Sequence, residues 1–138
     1  MMYLLDTNVI SELRQGKPQQ SQAVRAWAAS QPSGRLFLSS ITILELEMGI
    51  LGLERRTPPQ GSALRAWIAG VRDAFAGQIL PFTELTAPIC AALHVPNTRS
   101  ERDAMIAATA KEHGFTIVTR NVSDFADVGV DIINPWEA

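Results

Sequence analysis

The chain has 138 residues, of which 46% are apolar and 19% charged, a composition typical of a folded globular domain and unlike that of disordered or fibrous proteins. This length fits a single domain over residues 1–138. The net charge of −2 excludes a broad basic surface that coats nucleic acid, although ten of the twelve basic residues are Arg, which can grip phosphate with two parallel hydrogen bonds.

The apolar runs of the chain are all short. None reaches the roughly 20 residues of a membrane span, and no basic leader precedes the first apolar run, so we expect neither a transmembrane helix nor a signal peptide. The single cysteine, Cys90, cannot form an intramolecular disulfide, which fits a reducing compartment. These features predict a cytoplasmic protein with no membrane contact.

In the first half of the chain, short apolar runs alternate with amphipathic ones at helical spacing. Turn-forming Gly and Pro residues separate the segments. The predicted elements, in chain order, are a strand over residues 3–5, a helix from about Asn8 that ends before Gly16, a helix over 21–29, a strand over 35–38, a helix that follows Ser40, and a loop over 54–61.

The second half continues the same alternation, which is typical of an α/β fold with a parallel sheet. The predicted elements are a helix over residues 62–75, an edge strand over 78–80, a helix over 85–94, a loop over 96–98, a helix that contains 103–110 and ends at Gly114, a strand over 115–118, a turn around Asp124, and a strand over 130–133. The Gly after the last helix is a favourable C-terminal cap.

Four acidic residues are predicted to meet at one edge of the sheet. Asp6 directly follows the first strand, and Asp124 follows the strand over residues 115–118. The carboxyl ends of parallel strands face the same crevice, and helices that return across the sheet begin there, which brings in Glu45 and Asp103. Because clustered carboxylates repel one another, such a group usually holds a cation.

The chemistry of such a cluster points to phosphodiester hydrolysis. Mg²⁺ and Mn²⁺ favour carboxylate oxygens, and a bound cation can activate a water and neutralise charge on phosphoryl oxygens. The two histidines and one cysteine suggest no nucleophilic triad and no zinc-ligand spacing, and there is no Gly-rich phosphate loop. Metal-assisted hydrolysis is therefore the chemistry that the sequence favours.

Each acid taken singly also fits a structural role. Ser100 with Asp103, and Thr42 with Glu45, match the capping box in which an acid accepts a backbone hydrogen bond at the start of a helix. Asp6 could cap the helix that follows it, and Asp124 could be an exposed acid in a turn. Only the joint pattern of the four favours a metal site over these roles.

Four blocks of this sequence, taken in order, resemble the PIN domain, and in particular toxins of the VapC or FitB type from bacterial type II toxin-antitoxin pairs. The blocks are residues 4–12, 40–50, 103–110 and 118–125, so the resemblance covers nearly the whole chain. It implies a three-layer α/β/α fold with a central, mainly parallel sheet. It also implies an endoribonuclease that depends on Mg²⁺ or Mn²⁺ and hydrolyses RNA phosphodiester bonds.

The resemblance assigns roles to particular residues of this chain. The family's first three acids fall on Asp6, Glu45 and Asp103, which are expected to hold the metal. Asn8 and Thr119 match polar residues of the family that orient the acids or the attacking water.

The fourth acidic position of the family has two candidates here. Some members carry Asp where this chain has Asn121, so either Asn121 or the nearby Asp124 occupies this place. An Asn lacks the negative charge of Asp, and one metal ion is therefore expected rather than two. Arg120, beside these residues, is the first candidate for contacting the RNA phosphate, followed by Arg99 and Arg102. The alternative for these arginines is a solvated surface position or a salt bridge that balances the acids.

The resemblance also implies partners. A small cognate antitoxin is expected to wrap the toxin and fill its acidic cleft, often with a basic residue, and to be the component that binds operator DNA. Family members commonly form homodimers and hetero-oligomers with the antitoxin. Two other functions stay open: a catalytically weak PIN-fold binding module, and a metal-dependent phosphatase that uses Asp6 as nucleophile.

Overall fold

A five-stranded sheet lies at the centre of the fold, and every pair of neighbouring strands in it is parallel. This computed structural model describes all residues from Met1 to Ala138. The strands are β1 (Tyr3–Leu5), β2 (Leu36–Ser39), β3 (Ile79–Leu80), β4 (Thr116–Val118) and β5 (Ile132–Ile133). Their order is β3-β2-β1-β4-β5, which puts β1 in the middle and confirms the predicted parallel sheet.

Six α-helices connect the strands: α1 (Thr7–Glu12), α2 (Gln22–Ala29), α3 (Ser40–Arg56), α4 (Pro58–Ala74), α5 (Thr86–Leu93) and α6 (Glu101–His113). Three short 3-10 turns cover Ser33–Arg35, Val122–Phe125 and Pro135–Glu137. As predicted, α6 ends at Gly114, whose φ of 70° is left-handed and suits a residue without a Cβ. No helix combines the length and the apolar character needed to cross a bilayer.

The helices cover both faces of the sheet because side chains alternate along each strand. Leu4 and Ile117 point into a core that includes residues of α5 and α6. Tyr3, Leu5 and Val118 point into a second core, to which α1, α2 and α4 contribute. The predicted three-layer α/β/α architecture is therefore confirmed, with a buried sheet between two helical layers.

The loop predicted over residues 54–61 is wrong, because only Thr57 separates α3 from α4. Pro58 and the proline after it occupy the first turn of α4. Backbone N–H groups in a first turn have no acceptor within the helix, so proline, which lacks this group, loses no hydrogen bond there. Gly61 makes this sharp corner possible. A Cβ at Gly61 would lie 2.5 Å from the backbone nitrogen of Glu54 on α3.

The two predicted capping boxes are also absent. Ser39 caps α3 by accepting a hydrogen bond from the Ile41 N–H at 3.0 Å. Glu45 therefore lies in the second turn of α3, not the first, and Thr42 lies inside the helix. Ser100 stands at the cap position of α6, but its side chain makes no cap hydrogen bond. The acids on these two helices thus have no capping role.

Candidate active site

Asp6 lies directly after β1, at the carboxyl edge of the sheet, and is only 5% exposed. Its Oδ1 accepts a hydrogen bond from the Thr7 backbone N–H at 2.8 Å, so the residue does cap α1. Its Oδ2 accepts two more, from the Thr119 hydroxyl at 2.8 Å and the Asn8 side-chain amide at 3.1 Å. Three donors hold the carboxylate in one orientation, which a cap alone does not require.

A small hydrogen-bond network joins this carboxylate to the segment after β4. The Asn8 amide also donates to the Thr119 hydroxyl at 3.4 Å, and its carbonyl accepts from the Arg120 backbone N–H at 3.2 Å. The buried Thr119 hydroxyl in turn accepts from the Asn121 backbone N–H at 3.0 Å. Asn8 and Thr119 therefore contact the first acid, whereas the exposed Asn121 contributes its backbone.

Glu45 reaches this edge from α3. Its Oε1 accepts a hydrogen bond from the Thr7 hydroxyl at 2.6 Å, which connects it to the residue after Asp6. The Thr7 hydroxyl also lies 3.1 Å from that of Thr42. The other oxygen, Oε2, accepts from Nε of Arg102 at 3.0 Å. Sequence reasoning missed Thr7, whose only signal was its place beside the first acid.

Asp103 and Asp124 lie together on a neighbouring part of the same edge. Asp103 is in the first turn of α6, as predicted, and Asp124 is in the exposed 3-10 turn after β4. Both line a cleft of about 350 Å³, which also contains Ser100 and Ser123. The turn therefore brings Asp124, rather than the side chain of Asn121, beside the acid on α6.

The charges of the four acids influence one another. Burial raises the pKa of Asp6, and the nearby negative charge of Glu45 adds to this effect. The pKa of Asp103 is also raised, first by burial and then by the charges of Asp124, Asp6 and Glu45. Ionising the whole group is therefore unfavourable unless a positive charge comes close.

The acids fit a divalent cation in charge and in donor type, since all their ligand atoms are the oxygens that Mg²⁺ and Mn²⁺ prefer. No three acidic, histidine or cysteine side chains converge closely enough to form a ready-made metal site. Glu45 is turned toward Arg102, whose guanidinium already compensates one carboxylate. Gathering the acids around one ion would thus require side-chain rotation, in Glu45 above all.

Arg120 occupies the rim of this edge, next to the network around the first acid. Its backbone is fixed by the hydrogen bond to Asn8, and its guanidinium lies over the ring of Trp136, 5.1 Å from the ring centroid. The stacking holds the guanidinium through a cation–π contact while its N–H donors stay available. An arginine held in this way is suited to an anionic ligand.

Comparison with known proteins identifies the family of this chain. The model of the PIN domain matches residues 3–130. A VapC ribonuclease, Y4jK, from Sinorhizobium fredii is 41% identical over 99% of this chain and 99% of its own. The toxin FitB from Neisseria gonorrhoeae is 37% identical, over 98% of this chain and 99% of its own.

Solved structures agree with these relatives. The crystal structure of FitAcB from Neisseria gonorrhoeae superposes with a TM-score of 0.88 at 37% identity, covering 99% of this chain and 100% of that one. Further structures of the same fold include a toxin-antitoxin complex and FitAB bound to a DNA fragment. With a family model and relatives that span nearly its whole length, the chain belongs to the PIN-domain family, in the group of the VapC and FitB toxins.

Proposed function

We propose that this protein is a metal-dependent endoribonuclease that acts as the toxin of a toxin-antitoxin pair. The observation that carries the proposal is the grouping of four acids at the carboxyl edge of the sheet. Two of them, Asp6 and Asp103, have a pKa that is raised first by burial and then by the negative charges of neighbouring acids. The name of the VapC ribonuclease relative supports RNA as the substrate.

Mg²⁺ or Mn²⁺ is the cofactor that this set of oxygens suits. Asp6, Asp103 and Glu45 would hold the cation, and Asp124 would assist from beside Asp103. When bound, such a cation lowers the pKa of a water and neutralises charge on the phosphoryl oxygens. Thr119 and Asn8 keep the first carboxylate oriented through the hydrogen bonds described above, so little rearrangement of that group is needed.

The arginines beside the acids would receive the RNA backbone. Arg102 lies against Glu45, and Arg120 is joined to the network around the first acid by its backbone N–H while its guanidinium lies over Trp136. Arginine can bind a phosphate through two parallel hydrogen bonds, which fixes its orientation. We also propose a cytoplasmic location, because an RNA substrate is available there and a single free, buried thiol, Cys90, is compatible with a reducing compartment.

An antitoxin is the partner that the surface near Glu45 would accept. A groove of about 250 Å³ places Glu45 beside the apolar side chains of Leu46 and Trp67. Arg14 and Lys17 also line this groove. A partner segment with apolar residues, a basic residue that faces Glu45 and an acidic residue that faces these two cations would complement it in shape and charge. The contact between Glu45 and Arg102 supports this view, because it shows that the Glu45 carboxylate can bind a guanidinium group, as it would bind a basic residue of the partner. Binding to operator DNA would then come through the antitoxin.

A further protein contact is proposed on α3. Leu44, Met48 and Leu51 are spaced by four and three residues, so they share one helix face, and they are 47%, 52% and 58% exposed. A contiguous exposed apolar patch is a common mark of a protein interaction site. A homodimer, or a hetero-oligomer with the antitoxin, would cover it.

One alternative retains a supporting observation. A PIN-fold binding module without cleavage is favoured by the side-chain pairing of Glu45 with Arg102 and by the absence of three converging ligands. The phosphatase reading has less support. The Asp6 oxygens already accept three hydrogen bonds, which weakens them as nucleophiles.

The deciding experiment uses the purified protein freed of any partner, a mixed pool of single-stranded and structured RNA, and either Mg²⁺, Mn²⁺ or a chelator. Cleavage is expected only with a cation. Asp6→Asn and Asp103→Asn are expected to reduce the rate by about 100-fold or more, since even residues outside the ligand shell commonly cost 10–100-fold.

The matched control is Asp73→Asn, which removes an exposed acid on α4, remote in sequence from the four acids. It should cleave like the parent protein, whereas any contaminating nuclease would appear as residual cleavage by the identically purified Asp6→Asn and Asp103→Asn variants. Cleavage that survives chelation, or that persists in both acid variants, overturns the metal-nuclease proposal. RNA binding without cleavage would instead support the binding module.

A further inference from the structure

An arginine outside the acid group connects the two segments that carry Asp103 and Asp124. Arg99 lies two residues before the start of α6, and its side chain reaches Asp127, two residues beyond the 3-10 turn. The two form a bidentate pair, with the guanidinium nitrogens 2.9 and 3.0 Å from the carboxylate oxygens. Both residues line the same cleft as the two acids.

The remaining donors of Arg99 fix it to the end of α5. Its Nε donates to the Leu93 carbonyl at 2.9 Å, and its backbone N–H donates to Nδ1 of His94 at 3.3 Å. Nε and both terminal nitrogens of the guanidinium are therefore engaged, and the side chain is only 22% exposed. This arginine is occupied by the protein itself, which argues against a phosphate contact.

We propose that the pair of Arg99 and Asp127, called the clamp below, sets the separation between Asp103 and Asp124. On this view both members are positioning residues that act through backbone geometry, not through contact with RNA or metal. The inference rests on the proposed function, because the acids need a fixed separation only if they serve a shared ligand.

The physical need for such a clamp comes from repulsion. Asp103 and Asp124 carry like charges and belong to segments that are distant along the chain. The next residues, Ala104 and Phe125, share one buried core, but this apolar packing gives the two carboxylates no directional contact. An ion pair near the surface contributes little to overall stability, and Asp127 is 73% exposed. A bidentate pair is directional, however, and fixes the distance between the two backbones that it joins.

The test measures the affinity of the metal-free protein for Mn²⁺ by calorimetry in three variants: Arg99→Gln, Asp127→Asn and the double substitution. Each is expected to weaken binding by roughly tenfold, the usual scale for groups that orient ligands. The double variant should lose no more than either single one, because both remove the same contact.

The sign of the Arg99→Gln effect separates the clamp from simple electrostatics. Removing a positive charge near a cation site would tighten Mn²⁺ binding if only charge mattered, whereas loss of the clamp weakens it. The two substitutions also separate the clamp from a phosphate contact. If Arg99 bound RNA directly, Asp127→Asn would release it and strengthen the binding of uncleavable RNA.

Arg65→Gln is the matched control, since Arg65 also binds two carboxylates, those of Glu47 and Glu54, between α3 and α4. It should leave the Mn²⁺ affinity unchanged. Unchanged affinity in both clamp variants, or additive losses, would overturn the clamp while the nuclease proposal stands.

A second readout does not depend on metal. Hydrogen exchange in the metal-free protein should accelerate in both residues 94–100 and residues 121–127 when either member of the clamp is replaced. If the parent protein binds no Mn²⁺ at all, the proposed cofactor fails and this exchange measurement decides the clamp by itself. Acceleration in only the mutated segment would overturn it.

Discussion

Thr119 offers a test of how the first acid is held. Its hydroxyl is fully buried and donates to the Asp6 carboxylate, which lowers the pKa of that acid against the effect of burial. Thr119→Val keeps the shape but removes this donor, so we expect it to reduce the free energy of unfolding by about 1–3 kcal/mol near pH 7. Urea unfolding at pH 7 and near pH 4 measures the effect.

The loss should be smaller near pH 4, because a protonated Asp6 depends less on the missing donor. Thr109→Val is the control, since this threonine is equally buried but bonds only to the Met105 carbonyl of its own helix. A loss that did not change with pH, or that matched the control at both values, would contradict the role assigned to Thr119.

Replacing Asp103 is expected to increase the stability of the metal-free protein, whereas replacing Thr119 decreases it. Because its pKa is raised in the folded protein, its contribution to stability is greatest below the unfolded pKa and is lost as the pH rises through the folded value. Asp103→Asn, measured without divalent cations, should therefore raise the melting temperature by about 2 °C at pH 7 and leave it unchanged near pH 3. A lower melting temperature at pH 7 would contradict it.

Some residues of the site were predictable and others were not. Asp6 could be recognised because its position depends only on the strand that precedes it in the chain. The contacts of Thr7 with Glu45 and of Arg102 with Glu45 span residues far apart in sequence. Such pairings depend on how α3 packs against α1 and α6, which no local pattern specifies.

At the scale of elements, the corner between α3 and α4 depends on one glycine. Gly61→Ala would place a Cβ within 2.5 to 2.6 Å of the Glu54 backbone and side chain, so the two helices must separate. We expect a loss of roughly 2 kcal/mol in unfolding free energy, as for other overpacked positions. Thermal unfolding measures it.

Gly70→Ala provides the contrast on the same helix, because nothing lies within 4 Å of its added Cβ. Alanine favours helices over glycine, so this variant should gain about 0.5–1 kcal/mol. If the two substitutions changed stability by the same amount, the close approach at Gly61 would not be what determines this corner.

The same corner explains why one predicted element failed. Proline and arginine at residues 54–61 have the composition of a loop, yet proline is equally suited to the first turn of a helix. The sequence could not distinguish the two, because the answer depends on Gly61 meeting Glu54 across the helix pair. The regular α/β alternation, by contrast, is local and repeated, so the strands and most helices were predicted within a few residues.

In the whole molecule, four separate segments supply the acids. Sheet topology alone predicts that they share an edge, because parallel strands end on one side. It does not predict their separations. Those depend on contacts such as that between Arg99 and Asp127, and on the 3-10 turn that turns Asp124 toward the cleft. The cleft was thus predictable in outline, but its internal distances were not.

The assembled site makes a prediction for the stability of the entire fold. A cation that binds only the folded protein should raise the free energy of unfolding by about 2.7 kcal/mol at a concentration of one hundred times its dissociation constant. We expect Mn²⁺ to raise the melting temperature at pH 7, and chelation to reverse the shift. The shift should shrink near pH 5, because the carboxylates of Asp6 and Asp103, whose pKa values are raised, must lose their protons to bind. Asp6→Asn and Asp103→Asn should abolish it and Asp73→Asn should retain it; an equal shift in all three would mean that Mn²⁺ binds elsewhere.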